Sequence, residues 1–469
     1  MEEQLIIRVN SKIGRSRLAV KPTDSLLSLQ EKIEQVSHVP VLNQTLSLDQ
    51  SGNRRLVGRP NSSLAIIGLQ SGDVIWVTGE PASTGSAAAV PSAASAVPSA
   101  ASAVPSAASA APAEGPVHKS FESFLRIRRF DVGSLQGNLS YKSNFIEKGK
   151  LSKMPASVTL TRQPYRHVDH LEFMNISEIQ NFVKYWQDKL HCFQQRAGWL
   201  YGYYLDDPNY DDGCRAVVEG IYEPPQTAIG DNSFALVDDD FLINADTVAA
   251  KLGLERLGLI FTGLARDFIL SASETVVAAE RQLQFSTDAH YTGYRLSKFV
   301  SCIVTPDSKG EPDITALMVS DQSMGMVRDR LVTLSAQNDP KHVKLRATEK
   351  NELLPTVLQS GKEVTEFDPD WFIVRVNHGV PTKPRSFFSH SHFPRENREH
   401  EKQVMASLKF YVDQVKQEAT WKKYSDFHLI LFIAKQLDID TALALCDFIV
   451  QKKELSPDFQ ELIQALSSS

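Results

Sequence analysis

"DTVAAKLGLERLGLIF", residues 246–261, reads as a helix that passes at once into an apolar strand. Downstream, "SASETVVAAERQLQF" (271–285) reads as a capped helix. Upstream, "ISEIQNFVKYWQDKLHCFQQRAGWLYGYYL" (176–205) places Ile176, Ile179, Phe182, Val183, Trp186 and Leu190 at helical spacing before the buried-looking strand "GWLYGYYL". "CRAVVEGIYEPPQ" (214–226) is a second strand, stopped by Pro224 and Pro225. Helix, strand, strand, helix, strand, helix predicts an α/β unit built on a mostly antiparallel sheet. Beyond it, a strand is expected at "WFIVRVNH" (371–378), a helix near "EKQVMASLKFYVDQVKQ" (401–417), and a helical C-terminus in which Ser425 or Asp426 caps the apolar run "SDFHLILFIAKQL" (425–437).

The chain of 469 residues is too long for one ordinary core. Its 42% hydrophobic and 23% charged residues are those of a globular protein. A net charge of −6 argues against nucleic-acid binding, where lysine and arginine must neutralise phosphates, and suits a protein that meets other proteins. No run approaches the roughly 20 apolar residues of a membrane span, so no membrane insertion is expected. "MEEQLIIRVN" starts acidic and alternates, unlike a signal peptide. Cys192, Cys214, Cys302 and Cys446 are scattered without a CxxC pair. They offer neither a disulfide scaffold nor the spacing of a structural zinc site, and no cofactor is expected; a reducing compartment is the default.

From Ala89 the chain repeats "AVPSAAS" with prolines at 91, 98 and 105, which interrupt any helix. Small side chains offer nothing to bury, so residues 80–116 are expected to form a flexible, partly extended linker. Before it, residues 1–79 show a strand in "QLIIRV" with Leu5, Ile7 and Val9 on one face, and a hairpin partner in "GRSRLAV". A helix carrying Leu26, Leu29, Ile33 and Val36 is capped by Thr23, Asp24 or Ser25 and stopped by Pro40; two more strands end at "SGDVIWV". Strand, strand, helix, strand, strand is the order of a ubiquitin-like β-grasp. After the linker, "FLRIRRF" (124–130) is either a solvated basic face or a docking patch.

"VTLTRQPYRHVDHLEF" (158–173), "GWLYGYY", "AVVEGIYEPPQ", "LGLIFTGL" (257–264), "FPRENR" (393–398) and "SDFHLILFIAKQL" follow one another over most of 118–469. Together they resemble the nuclear protein localisation protein four family, ubiquitin-handling cofactors of the hexameric AAA ATPase valosin-containing protein. The resemblance implies an α+β multidomain protein. Its parts are an N-terminal ubiquitin-like β-grasp (1–79), a linker (80–116), a connecting segment (117–154), an inactive MPN (JAMM-like) α/β domain (155–340) and a C-terminal α+β domain (341–469). It also implies pairing with the ubiquitin fusion degradation protein one homologue and binding of polyubiquitin chains. The localisation implied is cytoplasm and nucleus, with peripheral association at the endoplasmic reticulum through partners. Contact with the ATPase is expected within 1–79, where residues 43–60 offer Arg54 and Arg55 rather than an FPR-type loop. Animal and fungal members carry cysteine-rich zinc fingers before the MPN domain. Here no cysteine precedes Cys192, so those fingers are missing.

"HSH" at 390–392 copies the core of the JAMM zinc motif, which requires a serine at 400 and an aspartate at 403; the chain has His400 and Gln403. The triplet therefore fails. His390, His392 and His400 beside Arg395 and Arg398 read as a solvated loop, and "FPRENR" as a structural motif holding the C-terminal domain. By resemblance, the motif's place in an MPN fold follows the strand "LGLI". There Phe261 and Gly263 stand for the two histidines, Ser271 keeps the serine, and Glu274 replaces the aspartate. The catalytic glutamate's place falls at about Gln195, and glutamine cannot act as a general base. No catalytic residue, metal ligand or isopeptidase activity is expected. Trp76, Trp186, Trp199 and Trp371 read as core, and His428 as a buried polar contact.

Overall fold

The computed structural model describes residues 5–11, 14–37, 39, 41, 44–48, 64, 69, 73–78, 118–128, 132–146, 149, 152–210, 212–228 and 234–468. The linker expected at 80–116 and the pair Arg54 and Arg55 lie outside them. The chain divides into two compact units, Met1–Ala103 and Val104–Ser469.

In the first unit, β1 (Leu5–Ser11), β2 (Gly14–Val20), β3 (Thr45–Ser47) and β4 (Val74–Thr78) form one sheet in the order β2-β1-β4-β3, with α1 (Leu26–Ser37) beside it. The alternation read in the first strand puts Ile7 and Val9 into the core with Leu29 and Ile33 of the helix and Ile75 and Val77 of β4. The helix opens at Ser25, whose hydroxyl accepts from the Ser28 N–H at 3.2 Å. The central pair β1/β4 is parallel and its flanking pairs are antiparallel, as a β-grasp requires.

The second unit is built on a closed ring of seven strands. They are β5 (His170–Phe173), β6 (Ala197–Asp207), β7 (Gly213–Tyr222), β8 (Glu255–Thr262), β9 (Val300–Pro306), β10 (Pro312–Val319) and β11 (Ile373–Gly379). Four of its seven pairings are antiparallel (β6/β7, β6/β8, β9/β10, β10/β11) and three parallel (β7/β5, β8/β9, β5/β11). One face of the strands, with Leu200, Val218, Ile260, Cys302 and Met318, packs on Ile179, Phe182 and Trp186. Those three belong to the amphipathic helix α3 (Ile176–Asp188). The opposite face, with Trp199, Tyr201, Phe261 and Leu317, packs on α4 (Leu242–Lys251), α5 (Ala272–Gln284) and the C-terminal helices.

Two expected boundaries do not divide this unit. The strand at 373–379, assigned by its sequence to a separate domain 341–469, pairs with β10 and β5 and closes the ring. The C-terminal helices α7 (Met405–Gln414), α8 (Phe427–Gln436), α9 (Ile439–Gln451) and α10 (Pro457–Ser468) have no core of their own: Phe427, Leu429–Ala434, Leu445 and Ile449 share one cluster with Tyr201, Tyr222 and Val248. The segment read as a connector, 117–154, is also part of the body. Its helix α2 (Phe121–Arg128) buries Phe121, Phe124 and Leu125 against Tyr165 and Tyr294, and Asn144–Phe145 pairs with Glu352–Leu353. A strand that completes a sheet gains hydrogen bonds from partners far away in sequence, so local pattern cannot assign it to a domain.

Candidate functional site

The end of β8 and the start of α5 bring the singled-out positions together. Ala197 of β6 pairs with Phe261 of β8, and just beyond it the Thr262 N–H donates to the Arg196 carbonyl at 2.8 Å, so Gln195 precedes one end of this pair and Gly263 follows the other. Phe261 is buried and packs on the Phe234 ring, with centroids 5.5 Å apart. Gln195 is buried, and neither its amide oxygen nor its nitrogen has a hydrogen-bond partner. A Cβ added at Gly263 would lie 3.0 Å from Thr305 Cγ2 and 3.5 Å from both Cζ and Nη2 of Arg266. The space in front of residue 263 therefore belongs to a guanidinium.

That guanidinium is held on both sides. Arg266 Nη1 donates to Glu274 Oε1 at 2.9 Å, Nη2 meets Glu274 Oε2 at 2.7 Å, and Nη2 also donates to the Ile269 carbonyl at 2.8 Å. The two side chains are only 4% and 6% exposed, which makes this a bidentate pair in a low-dielectric setting. Glu274 also works locally. Its Oε2 accepts from the Ser271 N–H at 2.8 Å, and the Ser271 hydroxyl accepts from the Glu274 N–H at 3.1 Å, a complete capping box for α5. Ser271 and Glu274 thus start a helix and bury an arginine. Arg266, the centre of the arrangement, carried no signal in the sequence, because it sits in an irregular loop between two recognisable positions.

A second cluster lies where the C-terminal helices meet the strands. Within "FPRENR", Arg395 Nη2 donates to Glu178 Oε1 at 2.6 Å, Glu396 faces the His428 ring at 2.9 Å, and Arg398 Nε donates to Glu223 Oε1 at 3.0 Å. Arg196 Nε donates to the other oxygen of Glu223 at 2.6 Å. His428 is fully buried, with Nδ1 toward Glu396 and Nε2 2.8 Å from Glu178 Oε2. Burial alone would lower its pKa, but Glu396 and Glu178 reverse this and push it up to about 9. Burial raises Glu178 in turn, and Arg395 and His428 bring it down to about 2. The motif is the fastening expected of it, and His428 makes the buried polar contact expected.

The surrounding loop is less solvated than its composition predicts. Arg395 and Arg398 are buried and His390 is mostly so, with Nε2 3.0 Å from Glu418 Oε2, whereas His392 and His400 are exposed. Charged side chains are buried here because each finds a counter-ion on another element. Glu178 had a signal: it sits four residues before Phe182 on the apolar side of α3. Trp186 and Trp199 are core residues, whereas Trp76 and Trp371 are half-buried. The described part of the basic patch is one turn of α2, with Arg126 exposed and paired with Asp212.

Comparison with known proteins follows this division. The NPL4 family model matches residues 196–466, a model of the nuclear pore localisation protein NPL4 matches 4–78, and the NPL4 family's putative zinc binding region matches 139–189. Nuclear protein localization protein 4 of Saccharomyces cerevisiae is 30% identical over 373 residues, 67% of this chain and 63% of that protein. The Drosophila melanogaster homolog is 31% identical over 321 residues (61% and 48%), and the Homo sapiens homolog 30% over 369 (68% and 59%). The matches thus span between 48% and 63% of these relatives' own length. Among solved structures, the ubiquitin-like domain of Plasmodium falciparum Dsk2 is matched over 17% of this chain and all of that one, at 16% identity and TM-score 0.15. The zinc-binding region is therefore recognisable, but its donor set does not fit zinc. Residues 139–189 contain no cysteine, and their two histidines are otherwise engaged: His167 faces Asp321 at 3.0 Å and His170 faces Asp207 at 3.9 Å. Among the described residues, no group of three or more histidine, cysteine or acidic side chains could hold a metal ion.

Proposed function

The chain belongs to the NPL4 family, and we propose that it is a non-catalytic ubiquitin-binding adaptor. It recruits polyubiquitinated substrates to the hexameric AAA ATPase valosin-containing protein for extraction and proteasomal degradation, including degradation associated with the endoplasmic reticulum. The ubiquitin fusion degradation protein one homologue is its partner. It works in the cytoplasm and nucleus, as the relatives' printed name suggests for the latter, and reaches the endoplasmic reticulum through partners.

The single observation that carries the non-catalytic half is the Arg266–Glu274 pair. We read the strand ring with α3 and α5 as an inactive MPN domain, in which Phe261 and Gly263 stand for the zinc-binding histidines, and Ser271 and Glu274 for the serine and aspartate. A phenylalanine and a glycine side chain cannot ligate zinc, and the positive charge beside Glu274 comes from Arg266 at 2.7 Å. Gln195, on the glutamate's position, cannot take a proton from an attacking water. The adaptor half is supported by the ubiquitin-like order of the first unit and by the family model that matches its residues 4–78. Two units on one chain raise the effective concentration of weak contacts without any new interface.

Native mass spectrometry of the purified chain with a ubiquitin tetramer tests this reading. A complex carrying the intact tetramer is expected. Shortened ubiquitin products would overturn the non-catalytic assignment. Failure to bind the tetramer, alone and with the partner subunit, would favour a structural MPN scaffold without ubiquitin binding.

A further inference from the structure

The first part of the segment matched by the putative zinc binding region, up to Thr161, lies with the residues just before it on one short helix, α6 (Asp321–Arg328), and the following Asp329; the rest of the match is β5 and α3. We infer that the described residues of 132–161 fold without a metal, and that this helix supplies the anchorage a zinc ion gives in a zinc-binding region. Each turn of α6 presents a group to the segment. Gln322 Nε2 donates to the Thr159 carbonyl at 2.8 Å, while its Oε1 accepts from the Thr161 N–H at 3.0 Å. One amide side chain thus pairs with the backbone at 159 and 161 as a neighbouring strand would.

One turn on, Gly325 lets the ring of Tyr141 lie against the helix: a Cβ at 325 would fall 2.4 Å from Tyr141 Cε2. The Tyr141 hydroxyl donates back to Gln136 Oε1 at 2.8 Å, and the ring joins Val158, Leu160 and Met326 in one apolar cluster. At the last turn Arg328 spreads its fork over two carbonyls, Nη1 to Gly137 and Nη2 to Leu139, both at 2.7 Å. Asp329 then orients that fork, with Oδ2 2.8 Å from Nη2, and accepts the Tyr141 N–H at 2.8 Å.

A zinc site in a small segment does two things: it fixes the backbone at a few points and replaces a core too small to be stable alone. Here Gln322, Arg328 and Asp329 fix the backbone at 137, 139, 141, 159 and 161, and Tyr141 supplies the core by borrowing that of the body. Charge-assisted bonds from a planar guanidinium to carbonyl oxygens are among the stronger ones available. The anchorage is therefore protein-made, and removing metal should not loosen it.

The test uses the full chain, purified with zinc present. Inductively coupled plasma mass spectrometry should find substoichiometric zinc, and the rate of protease cleavage within 132–161 should be unchanged by EDTA. Arg328→Ala, a partly exposed position, should raise that rate about tenfold through loss of two charge-assisted bonds, and added zinc should not reverse the effect. Gln322→Ala supplies an independent second release should Arg328→Ala disturb folding. One zinc per chain with EDTA-accelerated cleavage would overturn the inference. So would cleavage unchanged in both variants while circular dichroism shows them folded.

Discussion

His428 holds two carboxylates from distant parts of the chain, and its protonation follows from them. An imidazole whose folded-state pKa is about 9 against an ordinary 6.5 stabilises the fold fully below about pH 6.5, and that contribution is lost as pH rises through about 9. Glu178 has the opposite sign. Held at about 2 against 4.5, it contributes fully above about pH 4.5 and loses that contribution as pH falls toward about 2. The cluster is therefore expected to be most stabilising between about pH 4.5 and 6.5, a plateau that urea midpoints measured across pH would trace. His428→Ala leaves Glu178 and Glu396 buried without this cation and should cost about 3–5 kcal/mol by urea unfolding; in the variant the fall in midpoint between about pH 6.5 and 9 should disappear. At the other cluster, Glu274→Ala strips a buried arginine of its counter-ion and α5 of its capping box, and the same range of loss is expected. The double substitution Phe261→His with Gly263→His should not create a zinc site, because Arg266 occupies the space in front of 263. Zinc content of that variant checks this, and stoichiometric metal would show that the guanidinium yields its place.

At the scale of elements, the ring of strands closes through β11, separated by more than fifty residues of chain from its neighbour β10. A fragment ending at residue 340 leaves β10 and β5 with unpaired edges and should show no cooperative thermal transition by circular dichroism, whereas 118–469 should melt cooperatively. A sharp transition in the shorter fragment would mean that β11 is dispensable. Periodicity identified α1, α3, α4, α5 and α8 and the strands β1, β2, β6, β7, β8 and β11, because these helices carry apolar stripes and the long strands are buried; β9, β10 and α6 were not read from the sequence. Ser271 with Glu274 even announced its capping box at the right spacing. The partners of β5 and β11 were not legible, since both strands pair in parallel with each other across two hundred residues, and nothing in a short apolar run records its neighbour's direction.

For the molecule as a whole, the two units call for separate treatment. Residues 1–79 are expected to fold alone, with α1 sealing a four-stranded sheet, and removal of 1–116 should leave the melting temperature of the body unchanged to within about 2 °C by calorimetry. A large downward shift would mean that the units depend on each other. The order of elements in the first unit, the low-complexity division between the units and the family carried by "FPRENR" and its companion motifs were determined by the sequence alone, because each depends on residues near one another in the chain. Only the tertiary structure decided that 373–379 and the C-terminal helices share the body's core, and that Arg266 faces Gly263. It alone decided that Glu178, Glu396 and His428 meet, and that Arg328 holds a cysteine-free segment in place. Except for Arg266 and Gly263, which meet within one irregular loop, these contacts join residues far apart in sequence, where a buried charge is tolerable only once its partner has arrived.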